Sequence, residues 1–96
     1  MDSDELKTRL TQCIDQSVLE KDRSTLFESI KFAALELKKW KIVDFFRFGN
    51  SGDVVKTSLR NYGKDRNVLS VVYSPETSLD EIAGACKLEL GLGGGL

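Results

Sequence analysis

Between residues 4 and 20, Leu6, Leu10, Cys13, Ile14, Ser17 and Val18 recur at spacings of three and four, the period of one helix face. Asp2 or Ser3 can cap such a helix, and Asp4 and Glu5 sit in its first turn, where the helix dipole favours negative charge. After the polar cluster Glu20-Lys21-Asp22-Arg23, Ser24 or Thr25 is expected to cap a second helix, since Thr25-x-x-Glu28 matches a capping box. Its apolar positions are Leu26, Phe27, Ile30, Ala33, Ala34 and Leu37, with Trp40 near its end. So short a link predicts two antiparallel helices sharing a seam.

From Lys41 the pattern changes to β-branched and aromatic residues, Ile42, Val43, Phe45, Phe46 and Phe48. The turn-like Gly49-Asn50-Ser51-Gly52 follows, and then a second such run at Val54, Val55, Thr57 and Leu59. The expectation is a hairpin of two antiparallel strands. A rival reading carries the second helix on to Phe48, with Gly49 as its stop. A turn around Gly63 leads into Val68 to Tyr73, whose nearly continuous apolar run suits a strand covered on both faces. Ser74-Pro75 ends it. Thr77 or Ser78 then caps a third helix, with Ser78-x-x-Glu81 as capping box and Leu79, Ile82, Ala83, Cys86 and Leu90 as its stripe. Gly91 is a natural stop, leaving residues 91–96 as a flexible glycine-rich tail behind a single domain of residues 1–90. The fold class expected is α+β: an N-terminal helical hairpin packed on a small three-stranded, mainly antiparallel sheet, with a C-terminal helix.

Composition narrows the chemistry. At 96 residues there is room for one core, and an apolar share of 41% is enough to build it. No histidine is present, which excludes Ser-His-Asp and Cys-His sites and zinc sites built on histidine. Cys13 and Cys86 both fall on predicted apolar helix faces, so buried free thiols are expected rather than a disulfide. The acidic start Met1-Asp2-Ser3-Asp4-Glu5 has no apolar region behind it, and no apolar run approaches the roughly 18 to 20 residues of a membrane span. The expected setting is cytosolic or nuclear, with no membrane partner. The net charge of −1 conceals a division: residues 41–66 hold six Lys/Arg against three Asp/Glu, and residues 67–96 one Lys against four.

Carboxylates alone can do acid-base work when burial separates their pKa values. The pairs here, Asp80 with Glu81 and Asp2 with Asp4 and Glu5, stand in first helical turns, where capping and the dipole account for them. Asp44, inside an aromatic run, reads as an edge-strand charge or half of a buried ion pair. Phe45-Phe46-Arg47-Phe48 with Lys56, Arg60, Tyr62, Lys64 and Arg66 has the composition of a nucleic-acid surface. Strand alternation sends most of those rings to the core. It also sets Lys56, Ser58 and Arg60 on one face, opposite Val55, Thr57 and Leu59, as in a half-solvated strand. No metal, cofactor or catalytic group is expected, and an enzyme ranks last among the functions considered.

Two resemblances bear on function. The run Leu90-Gly91-Leu92-Gly93-Gly94, closing on Gly95-Leu96, resembles the leucine-and-glycine tail of ubiquitin-like modifiers, which implies processing at Gly93 and Gly94. A flexible linker is the simpler account. Residues 53–92 resemble the first half of a ubiquitin-like β-grasp of the PB1 type. The likeness rests on the strand with Val54-Val55-Lys56, the Tyr62-Gly63-Lys64-Asp65 turn, the strand Val68 to Tyr73, and Ser74-Pro75-Glu76-Thr77-Ser78-Leu79-Asp80-Glu81-Ile82 opening a helix. In that family a first-strand lysine pairs with acidic residues of a partner, which the resemblance assigns to Lys56. The function expected is a non-enzymatic protein-protein interaction module. Its basic strand face (Lys56 and Arg60, joined by Arg47, Lys64 and Arg66) would meet an acidic protein, or the acidic third helix of another copy. The alternatives are a small RNA- or single-stranded-DNA-binding protein and a ubiquitin-like modifier or protease-released product.

Overall fold

Asp2 opens the first helix, its carboxylate accepting the Glu5 N–H at 2.8 Å. The fold comes from a computed structural model that describes residues 2–37, 42–47, 55–61, 63 and 67–92, with the backbone alone at 42–47 and 59. The elements are α1 (Ser3–Leu19), α2 (Arg23–Glu36), β1 (Ile42–Arg47), β2 (Val55–Asn61), β3 (Asn67–Tyr73) and α3 (Leu79–Glu89). The α+β class and the element order are as expected.

Helix α1 buries Leu10, Ile14 and Ser17, flanked by the half-buried Leu6 and Val18. Cys13 corrects an expectation: it is exposed, because it stands one residue off the 10–14–17 line and so at the margin of the buried stripe. Ser17 tolerates the centre of that stripe because its hydroxyl donates to the Cys13 carbonyl at 3.0 Å and bonds the Ser29 hydroxyl of α2. Cys13 and Ser17 thus meet Ser29, while Leu6 and Leu10 border a groove shared with Phe32 and Glu36, so α1 and α2 run antiparallel.

A second correction concerns the start of α2. The cap is Asp22, not Ser24 or Thr25; its carboxylate accepts the Ser24 N–H at 3.1 Å and the Thr25 hydroxyl at 2.7 Å. Asp22 holds the cap with both carboxylate oxygens, one taking the Ser24 N–H and the other the Thr25 hydroxyl, so that Thr25 serves as a donor to the cap. Helix α2 buries Leu26, Ile30, Ala33 and Ala34 and stops at Glu36, so the rival reading of a helix running to Phe48 is overturned by β1. Trp40, Phe48 and the turn at residues 49–52 lie outside the described residues.

The sheet order is β1-β3-β2. β1 and β2 point in opposite directions, as expected, yet they are not a hairpin: β3 lies between them. β1 pairs with β3 in parallel from Ile42 opposite Val68 to Arg47 opposite Tyr73. β2 pairs with β3 antiparallel from Val55 opposite Tyr73 to Asn61 opposite Asn67. The most continuously apolar strand occupies the centre, where backbone pairing is available on both sides. Asp44 does stand on an edge strand, in register with Ser70.

Helix α2 packs against β1 and α3 against β2, while α1 lies on both of those helices. Leu69 and Val71 join Leu10, Ile14, Leu26, Ile30 and Ile82 in one core, with Val55 and Tyr73 packed against it. The helices therefore cover one sheet face. On the other, Val68 is 8% exposed while Ser70 and Val72 are half-buried, so β3 is not sealed equally on both sides.

Ser74 and Thr77, both buried, make the turn from β3 into α3. Thr77 Oγ1 accepts the Ser74 N–H at 3.0 Å and bonds its hydroxyl at 2.8 Å. Ser78 caps α3 by accepting the Glu81 N–H at 3.2 Å. At the far end Gly91, at φ 76°, donates to the Leu88 carbonyl and Leu92 to that of Lys87, which is a Schellman cap. Leu92 packs on the core, so the first two residues of the expected tail are seated. Residues 93–96, including Gly93 and Gly94, lie outside the described residues.

Candidate binding surface

Strand β2 is a sheet edge, and alternation divides its side chains as expected. Lys56, Ser58 and Arg60 are exposed, while Val55 and Thr57 are half-buried toward the helices. Lys56 and Arg60 are four residues apart on one face, hence separated by roughly 13 Å of strand. Across the ladder they stand opposite Val72 and Val68, with Ser58 opposite Ser70. The result is a shallow surface on which two cations bracket a central pair of hydroxyls beside two valines. Among the described residues neither Lys56 nor Arg60 forms an ion pair, whereas Lys87 reaches Asp15 at 2.6 Å and Lys31 reaches Glu28 at 3.9 Å. No described side chain neutralises either cation, which leaves their charge for an incoming anion.

Of the other residues predicted for this surface, Arg47 is the last residue of β1, in register with Tyr73. Lys64 and Arg66 lie outside the described residues. At their loop, the Gly63 N–H donates to the Asn61 side chain at 2.8 Å, and φ of 126° at Gly63 is a conformation that glycine adopts readily.

In the sequence Arg23 looks like one charge in a polar link. Its guanidinium donates to the Thr77 carbonyl at 3.0 Å and lies 4.9 Å above the Tyr73 ring, which also meets Phe27 at 5.3 Å. It fastens the start of α2 to the β3–α3 turn. Its partners are fifty or more residues away, so no local pattern could reveal them.

Elsewhere, Leu6, Arg9, Leu10, Cys13, Phe32 and Glu36 line a groove of about 280 Å³ between α1 and α2. Cys86 is buried in the core; burial, with the Glu89 carboxylate adding to it, pushes its thiol up from 9.0 to about 12. A thiol so held is neutral at pH 7 and a poor nucleophile. Among the described residues there is no group of three or more His, Cys, Asp or Glu that could hold a metal ion, and no helix is long and apolar enough to cross a membrane. No family model, curated protein or solved structure matches the chain.

Proposed function

We propose that the protein is a non-enzymatic interaction module that recognises an acidic protein surface through the basic face of β2. The observation that carries this reading is the pair Lys56 and Arg60: both exposed, on the same side of an edge strand, and without an ion pair among the described residues. The hydroxyls of Ser58 and Ser70 between the cations, and the half-buried Val72 beside Lys56, give a partner something to bond to and pack on as well as charge to neutralise. A protein partner is favoured over nucleic acid because the net charge is −1 and no aromatic ring stands among the exposed residues of β2 on which a base could stack.

The test is fluorescence anisotropy with a labelled deca-glutamate peptide and, in parallel, a labelled ten-nucleotide oligothymidine. The peptide is expected to bind, to weaken as salt rises, and to lose at least about tenfold in affinity with Lys56→Glu plus Arg60→Glu, since each reversal turns an attraction into a repulsion. Tighter binding of the oligonucleotide, abolished by the same double variant, would transfer the surface to nucleic acid. Equal peptide binding by the double variant would remove the basic face from recognition altogether.

A further inference from the structure

We infer that the outer edge of β2 accepts an acidic β-strand from a partner protein, extending the sheet to a fourth strand. This deepens the basic-face reading above and rests on it. β2 pairs only with β3 among the described residues, so alternate N–H and C=O groups along Val55–Asn61 point outward from the ladder. An edge seven residues long is enough for an extended peptide to satisfy several backbone groups at once.

The charges select the occupant. If a second copy paired antiparallel with the same edge about Ser58, Lys56 would stand opposite the other copy's Arg60 and Arg60 opposite its Lys56. Those are two like-charge cross-strand pairs, each destabilising. The edge therefore repels itself, and an antiparallel strand with carboxylates four residues apart meets both cations in the same register. Between those carboxylates, β-branched residues suit a pleated strand, and a small hydroxyl residue suits the position opposite Ser58.

The experiment uses the full chain and a labelled peptide with the core Glu-Val-Thr-Val-Glu. Two derivatives are N-methylated on the backbone, one at the glutamates and threonine, the other at the valines. Charge is identical in all three, and only one derivative blocks the N–H groups that would face β2. Strand addition predicts that one derivative loses at least about tenfold in affinity while the other stays within about twofold of the parent. If both derivatives bind like the parent, strand addition is overturned and the basic-face reading survives. If a lysine-for-glutamate peptide binds as well as the parent, or no peptide binds, both fall. Dimerisation of the chain alone that the parent peptide competes away would assign the edge to a second copy and overturn the proposal.

Discussion

Cys13 and Cys86 share an element type and differ in consequence. Cys13 lies in the groove between α1 and α2 and is open to reagents; Cys86 has no exposed surface. One thiol per folded chain is expected to react with a disulfide reagent, and two after denaturation. Because the Cys86 thiol titrates near 12 when folded and at 9.0 without that environment, the unfolded chain releases its proton first as pH rises. The stabilisation is complete below pH 9 and is lost between pH 9 and about 12, at roughly 1 kcal/mol per pH unit. Urea midpoints at pH 8 and pH 10 should fall more for the native chain than for Cys86→Ala; a parallel fall in both would show that this thiol is not the source.

At the scale of elements, the joint between α1 and α2 holds a removable strain. Lys21 adopts φ 55° just beyond the C-terminus of α1, with its N–H bonded to the Val18 carbonyl at 3.0 Å. A side chain there costs about 1 kcal/mol relative to glycine. Lys21→Gly should therefore raise the melting temperature by about 4 to 8 °C, and no change or a drop in a calorimetric scan would show that the position is unstrained. How far such features can be read from sequence depends on how local their cause is. Ser78 and the Glu81 N–H are three residues apart, so that cap was visible as a motif. The cap at Asp22 is hidden in the sequence by its neighbours Ser24 and Thr25, which are also good caps. The hairpin expected from residues 42 to 59 failed for a nonlocal reason: a glycine-rich turn signals reversal of direction, not adjacency. The unbroken apolar run of β3, paired on both sides in the fold, was the signal that it would be central.

For the molecule as a whole, sheet order decides what is protected. Leu69 and Val71 lie on the strand paired from both sides and have no exposed surface, so their amides should exchange with deuterium among the slowest in the chain. Amides of β2 directed away from β3 should exchange fast, and slow on addition of the Glu-Val-Thr-Val-Glu peptide. Protection gained on α1 or α2 instead would move the contact to the helical layer. The α+β class and the alternation of Lys56, Ser58 and Arg60 were legible because both follow from periodicity. The place of β2 at an edge was not, since it depends on which strand β1 pairs with, a contact between residues far apart in the chain.

The Schellman cap leaves Leu92 beside Asp4, Lys7, Thr8, Thr11 and Gln12 of α1, the helix that packs on α2 and α3. Anything attached after that point departs from the helical side of the protein. A biotin or affinity handle joined beyond Leu92 would hold the molecule on a sensor chip through one defined point, whereas random coupling through lysines would consume Lys56 itself.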